Sequence, residues 1–179
     1  GKRWGNGCSI KGEHTCEHSA GRDRSYSCVR VYMKQAIIDL GTNTFNLFVF
    51  EPGEAGTLRG VHSEERPVFL GRGGIEQGLI TAEAMERGIS TLVELQRIAV
   101  HHGATRITGF GASALRNARN AGMFVERAWN ELGITIHIVP GEEEADLILA
   151  GVRQAVPFTS KPALVMDIGG GSIEFILAT

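Results

Sequence analysis

Two stretches of this sequence set the same chemistry-bearing residues at the same spacing. AIIDLGTNTFNLFVF (36–50) aligns without a gap on LVMDIGGGSIEFILA (164–178), so that Asp39 meets Asp167, Gly41 meets Gly169 and Thr44 meets Ser172. Each copy runs from an apolar strand through an Asp at its end, a Gly-containing tight turn and a hydroxyl into a second apolar strand. Glycine removes the Cβ that keeps backbone N–H groups away from phosphate oxygens. The hydroxyls of Thr44 and Ser172 add donors. A carboxylate such as Asp39 or Asp167 can hold a hydrated Mg2+, which takes one or two carboxylates plus phosphate oxygens rather than an all-protein cage. Either copy alone reads as a hairpin with Asp as turn former. Two copies with matched Asp, Gly and hydroxyl point to phosphate binding. The candidate cradle is Gly41, Thr42, Asn43 and Thr44 on one side and Gly169, Gly170, Gly171 and Ser172 on the other. The copies differ in one respect: Glu174 shares a strand face with Ser172, where the first copy carries Asn46.

Further carboxylates and an arginine stand between the copies. Glu142, Glu143 and Glu144 open a helix after Pro140-Gly141. The helix dipole favours carboxylates there whatever their function, and it keeps such a group ionised to orient or deprotonate water. Residue chemistry leaves the choice among the three open. Arg116 follows Ser113, a candidate helix cap, and a guanidinium grips phosphate bidentately; an exposed helix arginine is the alternative. Arg119 and Arg72 are further candidates. His101-His102 closes a helix, where imidazolium suits the dipole. Trp129 and Met85 read as packing residues, and the Gly-rich 71–78 segment as a plain connection.

These residues need elements to position them, and from Met33 onward the hydrophobic pattern supplies them. QAIIDL (35–40) and FNLFVF (45–50) form a hairpin across GTNT. Residues 57–70 give one or two strands ending in VFLG. Thr81 caps a helix whose face carries Met85, Ile89, Leu92, Val93 and Ile98 and which ends near His102. ATRITGFG (104–111) is a strand, a short helical turn begins near Ser113, and a longer helix covers about 120–132. ITIHIV (134–139) is a strand stopped by Pro140-Gly141, Glu142 to about Val156 a helix, and ALVMDI (163–168) the start of a last hairpin. Strand-strand-strand-helix-strand-helix-strand-helix describes one α/β lobe with a mixed sheet, of the ribonuclease H-like or actin-like kind.

The bulk composition bounds the rest. The chain has 179 residues, 42% hydrophobic and 21% charged, with a formal net charge of -2. No basic excess exists to neutralise nucleic-acid phosphates or an anionic membrane, and no apolar run is long enough for a transmembrane helix. A cytoplasmic protein is expected, with no nucleic-acid or membrane partner. The three cysteines, Cys8, Cys16 and Cys28, lie in the first 32 residues, with His14 and His18 beside Cys16. Their spacing lacks the paired pattern of zinc sites. Residues 1–32 show neither strand nor helix period and read as a dispensable leader, tag or disordered arm.

The paired D-[IL]-G-[GTS]-x-[ST] hairpins resemble the phosphate loops of the actin, Hsp70 and sugar kinase superfamily. Within it, AIIDLGTNTFNLFVF, GASALRNARN, PGEEEADLILAGV and VMDIGGGSIEF together resemble the exopolyphosphatase/guanosine pentaphosphate phosphatase family, over about 33–179. The resemblance implies Mg2+-assisted hydrolysis of a terminal phosphoanhydride, with polyphosphate or guanosine pentaphosphate as partner. It aligns Glu143 with the catalytic base, Arg116 with a phosphate-neutralising arginine, and Asp39, Asp167 and Glu174 with metal or water ligands. Asp146 stands where family members carry a basic residue. The resemblance also divides the chain into lobe I (33–160) and the opening hairpin of a second lobe (161–179), predicting low activity and a tendency to dimerise. The competing readings are a kinase or ATPase of the same superfamily, which needs an adenosine pocket, and an actin-like assembly protein that binds nucleotide.

Overall fold

In the computed structural model, which describes residues 33–54, 57–159 and 161–178, strict alternation over 36–40 and 45–49 builds the centre of a sheet. Ala36, Ile38 and Leu40 of β1 (Lys34–Leu40) and Phe45, Leu47 and Val49 of β2 (Thr44–Pro52) turn to one side and are buried. The strands pair antiparallel with Asp39 opposite Asn46. β3 (Leu58–Pro67) adds antiparallel to β2, while β4 (Ala104–Gly111) lies parallel to β1 and β5 (Thr135–Ile138) parallel to β4. The sheet order is β3-β2-β1-β4-β5, the mixed sheet of a ribonuclease H-like lobe. The leader, cysteine and zinc-spacing readings of residues 1–32 fall outside the described residues.

Helices cover the apolar side. α1 (Ala82–His101) starts at Thr81, whose side-chain oxygen accepts the Ala84 N–H at 3.2 Å, the bond an N-cap makes. Its buried stripe is Ala84, Met85, Gly88, Ile89, Leu92, Leu95 and Ala99; Val93 and Ile98, expected on that face, are half-buried at its margin. α2 (Ser113–Asn117) and α3 (Ala121–Leu132) follow. Gly88 lets α3 come close, since a Cβ there would stand 2.7 Å from the Phe124 ring. Phe124 in turn meets Phe45 edge to face, with centroids 6.4 Å apart. The contact α3 makes is through Ala121, Phe124 and Ala128, so Trp129, read as a packing residue, is 59% exposed.

Two further expectations are corrected. VFLG (68–71) is not strand: the Val68 and Phe69 N–H groups both donate to the Asn43 carbonyl at 2.8 Å, which draws the chain off the ladder and over the first Gly turn. Val68 and Leu70 are fully buried there, and Phe69 takes a left-handed φ of 51°. The apolarity that reads as strand caps one end of the core instead. The His102 ring stacks on His62 at 4.0 Å. Desolvation, and then the nearby His62, His101 and Lys34, push its pKa below the usual histidine value, against the pull of Glu64. The ring therefore favours the neutral form rather than the imidazolium expected at a helix end.

α4 (Gly141–Ala155) runs from the end of β5 to β6 (Ala163–Ile168) and β7 (Ile173–Ala178), a separate antiparallel pair with Asp167 opposite Glu174.

Candidate functional site

Strand alternation puts Asp39 on the sheet face away from α1 and α3, one residue before β1 ends. Its cross-strand partner Asn46 donates from Nδ2 to Asp39 Oδ2 at 3.3 Å. The turn beyond is closed by the Gly41 N–H donating to the Thr44 carbonyl at 3.0 Å, and a Cβ at Gly41 would stand 2.9 Å from that same oxygen. Segment 68–71 holds the turn from outside. The Thr42 carbonyl accepts the Gly71 N–H at 3.3 Å, and the Asn43 carbonyl accepts two N–H groups as described. Arg87 fixes that segment by donating to the Val68 and Phe69 carbonyls at 2.7 and 3.1 Å.

The second hairpin repeats the local geometry. The Gly169 N–H donates to the Ser172 carbonyl, again at 3.0 Å, and Asp167 faces Glu174 as Asp39 faces Asn46. The turns meet crest to crest: a Cβ on Gly170 would lie 2.5 Å from Asn43 Nδ2, and one on Gly171 2.5 Å from Thr42 Oγ1.

This contact brings the carboxylates together. Desolvation raises the Asp39 pKa above its ordinary value, and the charges of Glu144 and Asp167 raise it further, against the Asn46 hydrogen bond that lowers it. Asp39 as a whole residue remains exposed. The crowding is therefore local to the carboxyl end. Glu144 is held there by Arg116, whose Nη1 donates to Glu144 Oε2 at 2.7 Å and to the Val139 carbonyl at 2.9 Å. Both side chains are half-buried, at 25% and 18% exposure. Among the described residues the Nε and Nη2 donors of Arg116 make no hydrogen bond.

The sequence-predicted residues thus divide. Asp39, Asp167, Arg116 and both glycine turns converge, and Glu174 joins through its pairing with Asp167. Glu143 is exposed on α4, as are Glu142 and Asp146. The carboxylate brought to Asp39 is Glu144, one residue on. The helical period carried that information: Ile148 and Val152 lie four and eight residues beyond Glu144, all half-buried, whereas the Glu143 stripe runs through Leu147, 55% exposed, and Gly151. Ser113 is not a cap, for the N-cap of α2 is Ala112. Arg119 stitches the Gly-rich loop by donating to the Gln77 carbonyl at 3.0 Å, and Arg72 is exposed. Among the described residues no three His, Cys, Asp or Glu side chains gather closely enough to hold a metal unaided. The donor chemistry still fits a hydrated divalent cation, which needs one or two carboxylates and completes its shell with water and phosphate oxygens.

Most of the chain is similar to known proteins. A family model described as the Ppx/GppA phosphatase family matches residues 49–179. A guanosine-5'-triphosphate,3'-diphosphate pyrophosphatase of Photobacterium profundum is 37% identical over 142 residues, covering 79% of this chain and 28% of that protein. Exopolyphosphatase 1 of Mycobacterium tuberculosis is 30% identical over 142 residues, covering 79% and 41%. Among solved structures, an exopolyphosphatase from Cytophaga hutchinsonii superposes with a TM-score of 0.77 at 39% identity, over 81% of this chain and 46% of that one. The Aquifex aeolicus Ppx/GppA family member gives 0.69 at 26% identity, over 83% and 48%. The chain therefore spans less than half the length of each of these relatives.

Proposed function

The chain belongs to the Ppx/GppA phosphatase family, and on that premise we propose that it forms the phosphate-binding part of a hydrolase. The reaction is release of terminal orthophosphate from inorganic polyphosphate or guanosine pentaphosphate. The observation that carries the reading is the meeting of two matched glycine turns beside Asp39, whose carboxyl is desolvated and repelled by Glu144 and Asp167. Such repulsion is costly unless a cation offsets it, and Mg2+ would do so while keeping coordination positions for phosphate oxygens.

In this reading Asp39 and Asp167, with Glu174 beside Asp167, would hold Mg2+, which when bound would supply charge neutralisation for the phosphate oxygens. To the phosphate chain the turns 41–44 and 169–172 donate hydroxyl groups and the backbone N–H groups not used in closing the turns. Arg116 offers its remaining donors to a phosphate oxygen while Nη1 keeps Glu144 in place. Glu144, rather than Glu143, orients the attacking water and takes its proton as the terminal phosphoanhydride breaks, because it is the one helix-opening carboxylate turned to Asp39. Phosphoryl transfer asks mainly for positioning and charge stabilisation, which this set provides.

The test is orthophosphate release by the full-length protein from polyphosphate and from guanosine pentaphosphate, with and without Mg2+. Mg2+-dependent release from either substrate is expected; release from neither, beside filament formation with nucleotide in light scattering, would favour the assembly reading.

A further inference from the structure

The second hairpin is joined to the rest of the protein by very little polar contact. Among the described residues one hydrogen bond does so: Ser113 Oγ donates to the Gly171 carbonyl at 2.8 Å. Ser113 is the first residue of α2 and only 3% exposed. Its hydroxyl does not cap its own helix, which has no side-chain cap bond. Asn117, one turn on, donates from Nδ2 to Ser113 Oγ at 3.4 Å. The oxygen thus accepts from Asn117, and its single proton is directed to Gly171. On its other side Gly171 abuts the first turn. A Cβ there would lie 2.5 Å from Thr42 Oγ1 and 2.9 Å from Ser113 Oγ. The crest of the second turn is therefore gripped between Thr42 and Ser113, in a space that admits only glycine.

We propose that Ser113 is a positioning residue that fixes the spacing between the two glycine turns, and with it the geometry in which a phosphate chain is held. The proposal rests on the phosphate-binding reading of those turns. Three features support it. The bond takes the second turn by a carbonyl, a group phosphate does not use, and so leaves available the N–H groups beyond Gly169, whose own N–H closes the turn. The first turn is held in the same manner, its Thr42 and Asn43 carbonyls occupied by Gly71, Val68 and Phe69. Finally, the tie is uncharged, so it adds no cation that would compete with the site for the anionic ligand and no anion that would repel it.

The experiment uses the full-length protein and compares Ser113→Ala, Ser113→Thr and Gly171→Ala, with Gly151→Ala as control; a Cβ at Gly151, on α4, meets nothing within 4 Å. Two readouts are taken. Without substrate, amide hydrogen exchange at Gly169, whose N–H closes the turn on Ser172, should quicken about fivefold in Ser113→Ala, the effect of one lost neutral hydrogen bond. It should stay near parent rates in Ser113→Thr and in the control. In phosphate release from polyphosphate, Ser113→Ala and Gly171→Ala should raise KM about fivefold, with kcat within about twofold. Unchanged exchange in Ser113→Ala overturns the proposal, as does a fall in kcat at constant KM, which a smaller folded fraction would give. If exchange responds as expected but the parent protein releases no phosphate, the spacing role of Ser113 stands and the hydrolase reading falls.

Discussion

The two hairpins share a turn and almost nothing of their surroundings. In both, a glycine N–H closes on the carbonyl of a hydroxyl residue at 3.0 Å, and in both an Asp sits one residue before the first strand ends. Yet Ala36, Ile38, Leu40, Phe45, Leu47 and Val49 are buried under α1 and α3. Their repeat partners Leu164, Met166, Ile168, Ile173, Phe175 and Leu177 are exposed by between 54% and 69%. Turn geometry is thus a local property of the Asp-x-Gly-x-x-hydroxyl sequence, and it survives without a covered apolar face. Burial is tertiary, supplied by helices that pack on one hairpin and not the other. The chemistry diverges too: Asp39 lies opposite a neutral amide that donates to it, Asp167 opposite a second carboxylate.

The largest expected effect tests the structural side of this comparison. Phe45→Ala removes a fully buried ring in contact with Phe124 and should cost about 3–5 kcal/mol of stability. Phe175→Ala, on the uncovered face of the second hairpin, should change the stability of this chain by less than about 0.5 kcal/mol. Urea unfolding of both variants measures the difference. Similar losses would mean that the Phe175 face is covered in solution.

The chemical side is sharpened by the carboxylates. Glu144→Gln should lower turnover about 10²-fold or more in the full-length protein with KM nearly unchanged, while Glu143→Gln stays within about threefold. A reversal would return the water-orienting role to the exposed residue. Glu174→Gln makes the second hairpin match the first, an Asp opposite an amide. If the extra carboxylate serves the cation, the variant should need roughly tenfold more Mg2+ for half-maximal activity. An unchanged Mg2+ requirement would leave Glu174 as a strand residue without a part in the site.

The order of elements and the position of Asp39 were legible because they follow from local pattern: alternation in β1 and β2, the Thr81 cap, Gly-rich turns that stop strands. What was not legible depended on partners distant in sequence. VFLG has the composition of a strand, but the Asn43 carbonyl, about 25 residues earlier, captures its N–H groups. Trp129 has the composition of a core residue, but Phe124 and Ala128 already fill the space over the sheet. Ser113 stands where a cap belongs, and its hydroxyl goes instead to Gly171, 58 residues on. That Glu144 rather than Glu143 turns toward Asp39 was available from the Ile148 and Val152 spacing. It was obscured by three identical side chains in a row, all equally suited to a helix start.

The smallest expected effect concerns the cost of the site to the fold. The Asp39 pKa is raised in the folded protein, first by desolvation and then by Glu144 and Asp167. A carboxyl whose folded pKa lies above its unfolded value favours folding when protonated, and that contribution is lost as pH rises through the folded pKa. At neutral pH the ionised Asp39 is therefore a burden on stability, tolerated where its charge is used. Asp39→Asn keeps an acceptor for the Asn46 amide and removes the charge, so it should raise Tm at pH 7 by no more than about 3 °C in the absence of Mg2+. Asp167→Asn removes only one of the charges that repel Asp39 and should give a smaller rise. The Asp39→Asn gain should shrink as pH falls toward the ordinary aspartate value of 3.8, since the parent carboxyl is then protonated as well. Mg2+ should close the gap from the other direction, stabilising the parent protein and not the variant. A Tm difference that ignores both pH and Mg2+ would show that Asp39 is not crowded by its neighbours, and the two hairpins would then differ only in what covers them.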